Sequence, residues 1–296
     1  MTRVHEAAEV ELVLDSGAEV GESPVWDVER GDLLWVDIPR GLIHRLDPAT
    51  GRDEVLSVGQ PVGSVGLRAS GGLVIALRDG FGLLGAGSAE VRIVARVEVD
   101  RPGNRMNDGK CDRAGGFWAG TMAVDETPNA GAVYRLDTEL QVRQVMSNAT
   151  MPNGLDWSLD DRTQYYVDSL DGGIDMFDYD PERALPTNRR RLVDVSPVNG
   201  VPDGLTIDAE GFIWVALWGG SALHRYAPDG RLDTVVEFPV TQVTSCTFGG
   251  SDLDELYVTT AAEGLEGEDL RCQPLAGGVF RFRPGTRGLA PRLFGG

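Results

Sequence analysis

The stretch VPDGLTIDAEGFIWVALWGGSALHRYAPDGRLDTVVEF, residues 201–238, decides the fold. It opens on a Pro-Asp-Gly step and runs into a short apolar segment. It turns at Ala-Glu-Gly, continues as the β-rich run FIWVALW, turns at Gly-Gly, and closes with two more strand-like runs. Such runs, rich in Val, Ile and Trp and broken by Gly and Asp-Gly, are strand signals. The whole reads as one four-stranded antiparallel unit.

Five other stretches follow the same plan. The leading segment recurs as GESPVWD at Gly21, GSVGLRASGG at Gly63, NDGKCDRAGG at Asn107, PNGLDWSLDD at Pro152 and TSCTFGGSDL at Thr244. A β-rich run follows each, from Leu33, Gly72, Gly116, Gln164 and Leu256, and then a third segment opens after a small-residue turn. Marked at Glu22, Ser64, Asn107, Asn153, Asp203 and Ser245, the units are 42, 43, 46, 50 and 42 residues apart. That is the period of a propeller blade. No long stretch of helical period competes with it. The expectation is an all-β fold, a single six-bladed β-propeller domain spanning 1–296. EVELVLDS, from Glu9 to Ser16, belongs to no unit, and is expected to add a strand to the last blade and close the ring.

Composition narrows the function. With 27 basic and 46 acidic residues the formal net charge is -19, which repels nucleic-acid backbones and anionic membrane surfaces. The N-terminal 20 residues show no apolar signal core, and no run is long enough to span a bilayer. Cys111, Cys246 and Cys272 are odd in number and widely spaced, against a disulfide framework or a zinc cluster. A cytoplasmic protein with reduced thiols is expected, a monomer or small homo-oligomer.

In a propeller, residues at the start of the innermost strands gather at one mouth of the central channel. Those starts carry Glu22, Asn107, Asn153 and Asp203. Glu, Asn and Asp around one point make a hard-oxygen site for one divalent ion: Ca²⁺, Mg²⁺ or Mn²⁺, with Zn²⁺ or Fe²⁺ as alternatives. Each residue alone has a plainer explanation, since Asn-Gly and Asp-Gly are favoured in turns. His44 and His224 precede Arg in equivalent segments of two units and are read as repeat architecture.

At these motifs the chain resembles the senescence-marker/gluconolactonase/regucalcin-like family of six-bladed propellers. GESPVWD with LLWVDI, RMNDGKCDRAGGFWAGTM, MPNGLDWS, VPDGLTIDAEGFIWVALWGG and TSCTFGG with LYVTTA carry the resemblance, in order and at blade spacing. It implies a metal held by Glu22, Asn153 and Asp203, and a substrate pocket built on Arg105 and Asn107. Asp125 falls where the family's sugar-contacting acid stands, with Glu126 the neighbouring alternative. The implied activity is hydrolysis of a small-molecule lactone: a divalent ion polarises the carbonyl, and Asp203 serves as general base toward water. Hydrolysis of another ester or an organophosphate, or a non-enzymatic calcium-binding role, are the alternatives. The polar loop DETPNA, 125–130, is a candidate lid.

Overall fold

The computed structural model describes residues 2–195 and 199–296. Its strands form six small sheets, arranged as six blades around a channel. Blade 1 runs outward from Gly21–Asp27 through Asp32–Asp37 and Leu42–Asp47 to Arg52–Ser57. Blades 2, 3 and 4 repeat the pattern from inner strands Val62–Leu67, Asn104–Cys111 and Pro152–Trp157. Blade 5 starts at Val201–Ile207 and blade 6 at Val243–Gly249. Strands within each blade's four-stranded meander pair antiparallel with their neighbours.

Ring closure follows expectation in blade 6. Glu11–Leu14 pairs antiparallel with Val279–Phe282 as its fourth strand, Leu12 opposite Phe280. A further closure was not foreseen: Arg3–His5 adds to blade 5 in parallel with Leu232–Glu237, giving that sheet five strands. Both additions cover edges that would otherwise offer unpaired backbone groups.

The blades pack face to face. Trp118 and Val133 of blade 3 meet Leu155, Trp157, Tyr166 and Phe177 of blade 4 in one buried cluster. The two indoles lie edge to face at 5.7 Å, an arrangement that contributes about 0.5–1.5 kcal/mol beyond area burial.

Every inner strand breaks register near its start. The breaks fall between Glu22 and Val25, Val62 and Ser64, Met106 and Gly109, Pro152 and Leu155, Pro202 and Leu205, and Val243 and Ser245. A β-bulge releases residues from the ladder and re-aims their side chains. Six bulges at one level make a ring of re-aimed residues, and Asn107, Asn153 and Asp203 lie inside them.

The Pro-Asn-Gly and Pro-Asp-Gly steps are therefore not turns. They belong to the inner strands themselves. Their glycines serve close approach: a Cβ on Gly154 would stand 2.6 Å from the Asp203 carbonyl oxygen, and one on Gly204 would stand 2.0 Å from Ser245 Oγ. Neighbouring inner strands converge so tightly there that only hydrogen fits.

The far end of the channel is sealed by the chain's last residues. Gly288 donates to Leu253 O in blade 6, and Ala209 in blade 5 donates to Arg287 O. Phe294 is fully buried, donates to Leu67 O in blade 2 and accepts from Ala69. The strap leaves a chamber of about 90 Å³ in the channel, lined by Asp108, Lys110, Asp156, Ser245 and Leu289–Arg292 among others.

Candidate active site

The bulged ends of the inner strands bring Glu22, Arg105, Asn107, Asn153 and Asp203 to one mouth. Glu22 is 3% exposed, Asp203 6%, and Asn107 and Asn153 5% each, so four polar groups are sealed from bulk water. Asn107 Nδ2 donates to Asn153 Oδ1 at 2.8 Å and to Pro152 O at 3.0 Å. Its Oδ1 accepts from Arg105 Nη1 at 2.6 Å. Asn153 Nδ2 donates to Ser169 Oγ at 2.8 Å. This chain fixes both amides and leaves the Asn153 oxygen a second lone pair.

The carboxylates are not paired off in this way. Glu22 Oε2 accepts from the Ser23 amide, while its buried Oε1 has no partner. Burial, reinforced by repulsion from Asp203 and Asp108, holds the Glu22 carboxyl far above the usual carboxylate range. Burial also raises Asp203 strongly; Asp108 adds to the rise, and a backbone hydrogen bond from Gly204 and the charge of Arg105 oppose it. Arg105 in turn is pulled below its ordinary value by burial, against the upward push of Glu263, Glu22, Asp203 and Glu126. Ser23, beside Glu22, sits at φ 49°, a strained conformation for a residue with a side chain.

Asp108 was missed by sequence reasoning. It shares the bulge with Asn107, so both side chains of Asn-Asp leave the ladder rather than one. Burial is the first cause lifting it to about 6, with Lys110 pulling the other way. Lys110 lies along the channel, donating to Asp156 Oδ2 at 2.9 Å and to Leu205 O at 2.8 Å.

Asp125 is not brought into this group. It is exposed, and its Oδ1 caps its own turn by accepting from Thr127 N at 3.1 Å and Thr127 Oγ1 at 2.7 Å. The next residue, Glu126, is the one whose charge reaches Arg105. A one-residue choice in a loop depends on backbone conformation, and Glu126 takes φ 58° there. The loop is tethered at its end, where Ala130 O accepts from Arg101 Nη1 at 2.9 Å and Asn104 Nδ2 at 3.0 Å.

Among the described residues no three His, Cys, Asp or Glu side chains form a metal-binding group. An ion at the mouth would therefore need the Asn153 amide beside the carboxylates of Glu22 and Asp203. The donor set fits such an ion. It offers an orphaned buried carboxylate oxygen, a second carboxylate repelled by its neighbours, and an amide oxygen with a free lone pair, all hard ligands. Among the described residues no helix is long and apolar enough to cross a membrane, and all three cysteines are free thiols.

The family model described as the SMP-30/gluconolactonase/LRE-like region matches residues 20–262. Regucalcin of Xenopus laevis is 41% identical over 294 residues, covering 97% of this chain and 98% of that protein. Regucalcin of Homo sapiens is 40% identical with the same coverage. Among solved structures, a luciferin-regenerating enzyme superposes with a TM-score of 0.90 at 34% identity, covering 97% of this chain and 99% of its own. A calcium-binding regucalcin from Agrobacterium tumefaciens superposes at 0.94 with 29% identity, over 99% of both chains. A gluconolactonase from Xanthomonas campestris, at 20% identity and a TM-score of 0.74 over 93% and 89% of the two chains, shares the fold.

Proposed function

The chain belongs to the SMP-30/gluconolactonase/LRE-like family, and on that premise we propose that it is a metal-dependent lactonase opening sugar-derived lactones to their acids. The observation that carries this reading is the buried pair Glu22 and Asp203, which repel each other and have no cationic hydrogen-bond partner among the described residues, at the channel mouth where the inner-strand bulge also places the buried amide Asn153. Glu22, Asn153 and Asp203 would hold a divalent ion. When bound, the ion supplies positive charge to the lactone carbonyl oxygen and acidifies nearby water.

The protein's own groups do the rest. Asp203 accepts the proton of the attacking water. A carboxylate beside a water acidified by a divalent ion is basic enough to take that water's proton. Arg105 holds ring oxygens or the nascent carboxylate through its forked donors. Its geometry is preset, because Nη1 is already anchored on Asn107 Oδ1 and on Met106 O at 3.0 Å. Asn107 links the two halves, bonding Arg105 on one side and Asn153 on the other. Glu126 takes over the hydroxyl-binding part first assigned to Asp125, whose carboxylate is occupied with Thr127.

The polar lining favours hydroxylated lactones over apolar esters, since unpaired donors in a buried pocket penalise a ligand that cannot bond them. A panel of aldonolactones, aryl esters and a phosphotriester, followed by acid release before and after chelation, tests the assignment. Expected are turnover of aldonolactones first, loss with EDTA, and recovery with a divalent ion. Asn153→Ala should weaken the ion about 10–100-fold. Full activity after exhaustive chelation would overturn the metal model.

A further inference from the structure

Arg105 and Asn107 stand just past a short segment, 97–104, that carries blade 2 into blade 3. The group that organises this segment is Glu98. Its side chain is 5% exposed, and its carboxylate is where three parts of blade 3 meet. Oε2 accepts from Asn104 Nδ2 at 2.7 Å. Oε1 accepts from Thr121 Oγ1 on the second strand, Phe117–Ala123, and from Tyr134 Oη on the third, Gly131–Leu136, both at 3.0 Å. Arg101 Nη1 lies 3.6 Å from the same oxygen. Backbone bonds fold the segment into two successive turns, Arg101 N donating to Glu98 O at 2.8 Å and Asn104 N to Arg101 O at 3.0 Å. Glu98 itself takes φ 50°, a conformation that is costly for a residue with a side chain and persists only where its surroundings impose it.

The same segment holds both ends of the loop that carries Glu126. Val124 N donates to Gly103 O at 2.9 Å. At the other end Ala130 O accepts from Asn104 Nδ2 at 3.0 Å and from Arg101 Nη1 at 2.9 Å. Asn104 Nδ2 therefore gives one hydrogen to Glu98 and the other to Ala130, and Asn104 is the residue before Arg105. One buried carboxylate thus joins the start of the strand that presents Arg105 and Asn107 to the base of loop 124–130. It can accept from an amide and two hydroxyls at once, because both its oxygens carry lone pairs and neither carries a competing hydrogen. Binding groups reach the right placement only when such a supporting shell locks them.

We propose that Glu98 is a positioning residue for the recognition of substrate hydroxyl groups: it holds Arg105 and the Glu126-bearing loop in one mutual placement, so that a polyhydroxylated ring meets both at once. The proposal rests on the lactonase reading for the roles of Arg105 and Glu126. Glu22, Asn153 and Asp203 stand on the inner strands of other blades, so the affinity for a divalent ion is expected to be independent of Glu98.

The test measures kcat and KM of the divalent-loaded wild type, Glu98→Ala, Glu98→Gln and Asn104→Ala on glucono-δ-lactone and on δ-valerolactone, the same ring without hydroxyl groups. Amide hydrogen exchange of 124–130 is followed on the same proteins. Glu98→Ala and Asn104→Ala are expected to raise KM for glucono-δ-lactone about tenfold, with kcat and the turnover of δ-valerolactone within about twofold of wild type. Exchange of 124–130 should quicken in both. Glu98→Gln should stay near wild type, since its amide oxygen serves Asn104 while the hydroxyls of Thr121 and Tyr134 rotate to accept from its N–H groups. Asn104→Ala leaves the carboxylate its two hydroxyl donors, and it carries the comparison if Glu98→Ala does not fold. A parallel loss on both lactones, a fall in kcat with KM unaltered, or a Glu98→Gln as impaired as Glu98→Ala overturns the proposal. A wild type inert toward both lactones, with exchange quickened in the two alanine variants, removes the lactonase reading and leaves the hold of Glu98 on the loop; with exchange unaltered it removes both. Turnover by wild type with KM and exchange unaltered in the variants removes the role of Glu98 alone.

Discussion

The two ends of the channel hold the same kind of residue in opposite states. At the sealed end, Asp208 is fully buried and completely partnered. It accepts from Glu210 N at 2.9 Å, Phe212 N at 3.0 Å, Trp214 Nε1 at 3.0 Å and Arg225 Nε at 2.8 Å. Asp112 in blade 3 repeats the clamp with Gly116 N and Trp118 Nε1, both at 2.8 Å, and Arg135 Nε at 2.6 Å. At the open end Glu22 and Asp203 are nearly as buried, yet they face each other and Asp108 with one shared guanidinium nearby. Burial costs a charge several kcal/mol unless partners offset it. The clamps meet that cost within the chain. The mouth leaves it unmet, and a bound cation is what would balance it. Buried acids of one repeat family thus divide into those that hold blades together and those left facing like charges at the mouth.

Exchanging amides for acids at the two ends should break the chain in opposite ways. Asp203→Asn is expected to lower kcat at least a thousandfold, about 4 kcal/mol of barrier, while raising the melting temperature of the metal-free protein. The rise follows because the substitution removes one member of a repelling buried set. Asp208→Asn should do the reverse. It takes from Arg225, 8% exposed, the fully buried one of its three acidic partners, leaving Glu210 and Asp233, and costs roughly 3 kcal/mol of stability, with kcat per folded molecule close to wild type. Thermal unfolding in EDTA and active-site-normalised turnover read both. If Asp203→Asn destabilises the metal-free protein as much as Asp208→Asn does, the distinction between the two ends is wrong.

The repeat made the fold legible. Six segments at blade spacing fixed the number of sheets, and the unit-free Glu9–Ser16 announced the closing strand that pairs with Val279–Phe282. The parallel strand Arg3–His5 was not legible, because three residues carry no period. The candidate site was legible where it repeats: Asn107, Asn153 and Asp203 lie at one position inside the bulges of their blades, and Glu22 stands one residue before its own. It was not legible where it does not. Asp108 depends on a bulge that frees two neighbouring side chains. Asp125 and Glu126 differ by a loop torsion. The turn-like look of Pro-Asn-Gly and Pro-Asp-Gly misled for a related reason. Glycine marked close packing of adjacent strands there, not a turn, and sequence alone does not separate the two.

A smaller instance of the same contrast lies inside the blades, at the two histidines of equivalent segments. His44 stacks on Trp35 with centroids 3.8 Å apart, and its Nδ1 lies 2.7 Å from Asp53 Oδ2. His224 has Tyr226 Oη instead, at 2.9 Å, and no carboxylate. Burial alone pushes His224 down to about 4. Its proton affinity is thus lower in the folded chain than in the unfolded one. The stability this neutral histidine contributes is complete above about 6.5 and is lost as pH falls through about 4. For a side chain 5% exposed, the loss amounts to about 3 kcal/mol. His224→Gln cannot be protonated, so its stability relative to wild type should improve by that order between pH 7 and pH 4. Urea unfolding of the two proteins at both pH values measures it. A difference that stays constant with pH would mean that His224 has a partner for its charge after all, and that pairing, rather than position in the repeat, is shared by both histidines.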